Sequence, residues 1–141
     1  MAQFSDADEV YQFLGGLFEA AFADEELSTA AASAGVVVRM RLSEPESELV
    51  IDLPGRQVLV GAAGADAAAA VDLAMSADNA HALWLGRVQP ATLIAMRRVK
   101  IRGSVRKLLR MQSMGEQLIP VYEKLLSEAG RDDLLGALES H

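Results

Sequence analysis

The stretch Asp78–Met111, DNAHALWLGRVQPATLIAMRRVKIRGSVRKLLRM, is where two structural periods and most of the positive charge of the chain meet. Its first half reads as helix. Ala80, Leu83, Trp84 and Leu85 follow the polar opener Ser76-Ala77-Asp78-Asn79, whose side-chain oxygens can accept from the free N–H groups of a first turn. Gly86 suits a left-handed helix end, and Pro90 fits the first position of a second helical turn carrying Leu93, Ile94 and Met96. The second half changes period. Val99 and Ile101 alternate with Lys100 and Arg102 as in a half-buried strand, and Gly103-Ser104 closes it and offers a cap to a helix bearing Leu108, Leu109 and Met111.

Upstream, Val36, Val38, Met40 and Leu42 alternate with Val37, Arg39 and Arg41, which predicts a strand with one wet face. Glu44, Pro45, Glu46 and Glu48 make a polar turn before a second strand on Leu49, Ile51 and Leu53. Pro54-Gly55 reverses the chain, and Gln57 to Val60 continues as a third strand, so these three pair naturally as a meander. Gly61 to Asp66 is a turn. Ala70 to Met75 is a fourth strand with Val71, Leu73 and Met75 inward, although the alanines at 67–70 leave the local choice between helix and strand open.

At the start of the chain, Ser5 or Asp6 caps a helix over about 5–22, with Val10, Phe13, Leu14, Leu17, Phe18, Ala21 and Phe22 as a broad apolar stripe. Such a stripe must dock, either on its own domain or, as a homodimer contact, on a second copy. Gly15-Gly16 in its middle each cost about 1 kcal/mol against alanine, which points to a close backbone approach or a bend. Asp24, Glu25 and Glu26 read as a solvated acidic turn, and 28–35 as a short helix with a stop at Gly35. Downstream, C-terminal helices cover about 104–129. The first runs from Ser104 to about Gln117, Pro120 restarts or kinks it, and Met111, Met114, Leu118, Tyr122 and Leu125 share one stripe. The tail 131–141 either forms one more amphipathic turn on Leu134, Leu135 and Leu138 or frays.

A chain of 141 residues is long enough to bury a real core as a single domain, 1–141. No apolar run reaches the ~18 to 20 residues that cross a bilayer. The start, MAQFSDADEV, carries acid where an export signal carries base, so a cytoplasmic address is expected. With no cysteine there is neither a thiolate nucleophile nor a cysteine metal site. Catalytic patterns are sparse. No G-x-S-x-G, H-E-x-x-H, Walker loop or G-x-G-x-x-G occurs. His81, near Asp78 at a helix start, reads as solvated or capping, and Asp132-Asp133 as helix-start acids favoured by the helix dipole. No catalytic residue, metal ligand or cofactor is therefore expected, and the chain is not read as an enzyme.

Charge says more. The formal total is −7, yet Arg87, Arg97, Arg98, Lys100, Arg102, Arg106, Lys107 and Arg110 lie in a segment without a single acid. Nucleic acid is not the expected partner, since only Trp84 offers a stacking surface nearby. An anionic membrane, or the charged head of a lipid, fits the apolar helices alongside, with Arg97, Arg98, Lys100 and Arg102 as the contact residues. A plain solvated face, balanced by the acidic N-terminal half, accounts for the same charges equally well.

The order of a helix ending W-L-G-R, a P-x-x-L turn, the basic strand V-K-I-R-G and a helix resembles the sterol-carrier-protein family of intracellular lipid-binding domains. Trp84, Leu85, Gly86, Arg87, Pro90, the run 99–102 and Gly103 carry the likeness. It extends upstream through GVVVRMRLSEPESELVIDLPG and downstream through LIPVYEKLL, roughly Val10 to Leu126. Together with the strand pattern, the resemblance implies an α+β fold: a five-stranded mixed, mostly antiparallel sheet with helices on one face and an apolar tunnel between. The tunnel wall is then expected from Leu83, Trp84, Met96, Val99 and Ile101, and from Leu108, Met111, Met114, Leu118 and Tyr122. The implied function is non-catalytic binding, transfer or buffering of a hydrophobic ligand such as a sterol, fatty acid or fatty acyl-CoA. The alternative is an interaction or oligomerisation module with the same fold and a filled core. An apolar cavity of some ~300 Å³ or more separates the two.

Overall fold

The computed structural model describes residues 3–110 and 112–136. Its N-terminal helix begins with reciprocal capping. The Asp6 carboxylate accepts from the Glu9 backbone N–H at 3.0 Å while the Glu9 carboxylate accepts from the Ser5 N–H at 3.2 Å. The helix runs through Ala7–Val10 (α1), widens into a π turn over Tyr11–Gly15, and continues as Gly16–Ala23 (α2). The glycine pair explains both the bend and the approach. A methyl on Gly15 would lie 3.7 Å from Leu49 and Val60, and one on Gly16 would lie 3.5 Å from Leu125. The apolar stripe is thus buried within its own chain: Val10, Phe13, Leu14, Leu17, Phe18 and Ala21 are all in the core. The acidic run that follows is no loose turn. Asp24 caps the next helix, Glu25–Ala34 (α3), by accepting from Leu27, and Gly35 ends it at φ +62°.

The strands are Val37–Ser43 (β1), Ser47–Asp52 (β2), Gln57–Val60 (β3), Val71–Ser76 (β4) and Lys100–Gly103 (β5). They form one sheet in the order β3-β2-β1-β4-β5, in which only β1 and β4 run parallel. The expected meander is present in β1 to β3. To reach β4 the chain then crosses the outer face of the sheet, through a 3₁₀ turn at Gly61–Gly64 and an irregular stretch over the alanines at 67–70. This crossing corrects the expectation of a fully wet outer face. Arg39 is buried beneath it, donating to the Ala67 carbonyl at 2.6 Å and facing Glu48 at 3.4 Å. Gly64 permits the approach, since a methyl there would meet Val50 at 2.7 Å.

On the other face lie the helices Ala77–Trp84 (α4), Pro90–Ala95 (α5), Val105–Leu109 (α6), Gln112–Glu128 (α7) and Asp132–Gly136 (α8). Ser76 caps α4, and Gly86, at φ +73°, closes it as a Schellman motif: the Gly86 N–H reaches the Leu83 carbonyl and the Arg87 N–H the Ala82 carbonyl. The long helix expected over 104–117 is instead divided into α6 and α7, and α7 runs through Pro120. Pro120 is exposed, and its ring nitrogen has no N–H to offer the Glu116 carbonyl one turn earlier. α7 packs against α2, α4 and α8.

His81, expected in water or as a cap, is fully buried. Its Nε2 lies 2.9 Å from the Leu134 carbonyl, which can only accept, so Nε2 carries the proton and Nδ1 accepts from the Tyr122 hydroxyl at 2.6 Å. The ring therefore joins α4, α7 and α8. Asp132 and Asp133 do sit in the first turn of α8, and Asp133 pairs with Arg131, which also reaches Glu9 and lies over the Phe13 ring.

Candidate functional site

An apolar cavity of about 570 Å³ separates the sheet from part of the helical layer. Its floor is the inward side of the strands: Val38 and Met40 from β1, Ile51 from β2, Leu73 and Met75 from β4, and Ile101 from β5. These side chains share a face because pleating alternates them with Arg39, Asp72, Lys100 and Arg102. The roof comes from Phe18 on α2, Leu83 and Trp84 on α4, Leu93 and Ile94 on α5, Leu108 and Leu109 on α6, and Ile119 on α7. Gln89 and Glu116 bring the polar side chains of the wall, and among the described residues no lysine or arginine lines it.

Trp84 occupies a particular place in this roof. Its ring meets Phe18 edge to face at a centroid distance of 5.2 Å, which fixes its plane. Its Nε1–H is buried yet has no acceptor among the described residues. A lone donor in an apolar wall gains a hydrogen bond from any occupant that presents an oxygen nearby.

Of the ten side chains expected in the wall, Leu83, Trp84, Val99, Ile101 and Leu108 line the cavity. Met114, Leu118 and Tyr122 are buried but lie outside the lining. The reason is helical phase. On α7 the cavity is faced by Gly115, Glu116 and Ile119, roughly 100° around from the 114-118-122 stripe, which packs into the core beside α2 and α4. Met96, at the end of α5, is 54% exposed and outside the lining. Met111 falls outside the described residues. The floor was missed by the sequence reading as a site, although Val38, Met40, Ile51, Leu73 and Met75 were all placed on inward faces. Alternation marks the inward face of a strand and does not say whether a neighbour or a void meets it.

The basic residues divide by element. Lys100 and Arg102 project from β5 opposite to Ile101, on the outer face of the sheet. Arg98 precedes the strand and sits with Arg97 in the loop after α5; both border an open cleft shared with Arg41 and Lys100 and with the acids Glu46 and Glu48. Arg106, Lys107 and Arg110 stand exposed on and after α6.

Comparison with known proteins agrees with this architecture. Residues 17–115 match the family model described as the SCP-2 sterol transfer family. The sterol carrier protein domain 2 of Helicoverpa armigera superposes with a TM-score of 0.67 at 17% identity, covering 85% of this chain and 95% of that one. The apo sterol carrier protein 2 of Yarrowia lipolytica gives 0.59 at 16% identity, over 86% and 94%. Sterol carrier protein 2 of Aedes aegypti, solved in complex with palmitate, gives 0.52 at 17% identity, over 70% and 94%. No curated protein sequence matches significantly. At these identities the solved structures establish a common fold.

Proposed function

Since the chain belongs to the SCP-2 sterol transfer family, we propose that it binds one hydrophobic ligand, a sterol, a fatty acid or a fatty acyl-CoA, in the cavity between sheet and helices, and transfers or buffers it without making or breaking a bond. The observation that carries this reading is the cavity itself. At about 570 Å³ it falls within the usual range of ~300–1,000 Å³ for small-molecule sites, and its wall is almost entirely hydrocarbon. A module that only assembles with other proteins has no use for such a volume, because each unfilled space forfeits packing contacts. The palmitate held by the Aedes aegypti relative supports an acyl chain as one class of ligand.

In this reading Leu83, Trp84, Val99, Ile101 and Leu108 clasp the apolar body of the ligand, and the Trp84 Nε1–H meets an oxygen of it. A charged head, when there is one, stays outside the hydrocarbon wall, toward Arg97 and Arg98 at the end of α5; Lys100 and Arg102, on the outer face of the sheet, do not reach it. The test is a fluorescence titration with cis-parinaric acid and with a fluorescent sterol. Trp84 is the only tryptophan, so its emission reports one place. A saturable change at near one ligand per chain is expected. A flat titration of well-folded protein with both probes would sink the reading.

A further inference from the structure

Among the described residues five large apolar side chains stand exposed, and four of them, Ile94 (49%), Met96 (54%), Val105 (51%) and Leu109 (61%), belong to the two short helices α5 and α6 and their ends. Ile94, Val105 and Leu109 also line the cavity. Each therefore turns one side to the ligand space and the other to water, which puts the three on the cavity's rim. Exposed apolar surface gathered at one mouth is a binding feature, since scattered single residues would need no explanation.

The charge at the same place is equally uneven. Arg97, Arg98, Arg106, Lys107 and Arg110 are exposed and make no ion pair with any described residue, as do Lys100 and Arg102 on the outer face of the neighbouring strand and Arg56 in the β2–β3 turn, whereas Arg39, Arg41, Lys124 and Arg131 are each paired. No aspartate or glutamate occurs from residue 79 to residue 115. Arg97 closes α5 at φ +57°, with the Arg98 N–H bonded back to the Leu93 carbonyl at 2.9 Å. Glycine occupies such a helix end without strain, so an arginine there keeps its charge at a backbone cost. By contrast the N-terminal helices carry acid on their exposed face and hide their apolar one.

We propose that the rim formed by α5 and α6 docks on an anionic lipid bilayer. Ile94, Met96, Val105 and Leu109 enter the boundary of the acyl chains, and Arg97, Arg98, Arg106, Lys107 and Arg110 meet lipid phosphates. The cavity then opens against the bilayer, and a ligand passes between the two without crossing water. That last step rests on the carrier reading above; the docking itself does not. Exposed apolar side chains beside cations that have no ion pair among the described residues match the depth profile of an anionic membrane. A nucleic acid would instead call for exposed aromatic platforms, and Trp84 faces inward.

The chain contains no cysteine, so single labels are easily placed. Met96→Cys and, as a control on the exposed side of α3, Ser33→Cys would each carry an environment-sensitive nitrobenzoxadiazole group. With phosphatidylcholine vesicles containing phosphatidylglycerol, the label at 96 should brighten several-fold and shift to the blue, while that at 33 stays unchanged. Arg106→Glu with Arg110→Glu should abolish the response at 96 and leave cis-parinaric acid binding in vesicle-free solution unaltered. No response at 96, an equal response at 33, or a response to duplex DNA in place of vesicles would overturn the proposal. If cis-parinaric acid fails to bind while the label at 96 still responds, the carrier reading falls and the docking surface stands. The reverse result removes the docking surface and leaves the carrier.

Discussion

His81 is held neutral by its surroundings. Burial lowers its pKa below the ordinary imidazole value of 6.5, against the upward pull of the Leu134 carbonyl, Asp78 and Asp133. Protonation would also put a second N–H against the Tyr122 hydroxyl, which now donates to that nitrogen. The consequence for stability has a definite sign. The unfolded chain takes up the proton as pH falls through about 6.5, and the folded chain only at a lower pH, so this contribution to stability is fully present above about 6.5 and is lost as pH falls. The slope approaches about 1.4 kcal/mol per pH unit for one such group. Urea unfolding of a His141→Ala background, which leaves His81 as the one histidine, should show stability falling between pH 6.5 and 5, before most carboxylates titrate. Constant stability across that window would mean that the His81–Tyr122 bond does not constrain protonation. Of the residues that line the cavity, Leu83, Trp84, Ile101, Leu108 and Val99, the last just ahead of β5, are those the family resemblance points to. The role of His81 was not legible in the sequence, because its partners come from residues 41 and 53 positions away.

At the level of the element, α7 shows how a stripe can be recognised and still be assigned to the wrong neighbour. The run Met114, Leu118, Tyr122 is apolar at helical spacing, and it packs into the core. The cavity meets the adjacent row, where Gly115 leaves space: a methyl added there would touch nothing within 4 Å. Gly115 lies inside a helix and carries no positive φ, so a larger residue fits without backbone strain. Gly115→Leu should thus fill part of the cavity and gain up to about 1 kcal/mol of helix propensity. The expected outcome is an unchanged or higher melting temperature with cis-parinaric acid affinity reduced at least about tenfold, equivalent to about 1.4 kcal/mol. Undiminished affinity would place the ligand elsewhere. Gly86 and Gly103 behave in the opposite way: at φ +73° and +101° they close α4 and β5, and a methyl on Gly103 would collide with the Ala70 carbonyl.

Across the whole molecule the formal charge is −7, but the sign varies from region to region. Acid gathers on α1 to α3 and base around α5, β5 and α6. At physiological salt the screening length is ~8 Å, so a surface docked through the basic side feels little of the acid beyond it. Each cation near an anionic leaflet contributes about 1 kcal/mol, and the three or more on α6 and its flanks outweigh a distant net charge. Transfer of cis-parinaric acid from phosphatidylserine-containing vesicles should therefore be faster than from neutral ones, and the advantage should vanish at high salt. Lys100→Glu with Arg102→Glu should weaken it less than Arg106→Glu with Arg110→Glu, because β5 turns its cations to the outer face of the sheet. Indifference of the rate to lipid charge and salt would reduce the basic belt to a solvated surface.

The sequence by itself determined the local order: where strands alternate, where Ser76, Ser104 and one of Ser5 or Asp6 cap helices, and where glycine ends them. Those features depend on neighbours within a few residues, and propensity and period report them directly. It also determined that residues 87–110 would be a basic region in an acidic chain. Only the tertiary structure decided that β4 lies parallel to β1, that the crossing chain buries Arg39, and that α7 turns Gly115 and Ile119 rather than Met114 and Tyr122 toward the cavity. Each of these depends on contacts between distant segments and on the rotation of one packed layer against another. Periodicity states which face of an element is apolar, while packing alone determines whether that face meets a neighbouring side chain or the space left for a ligand.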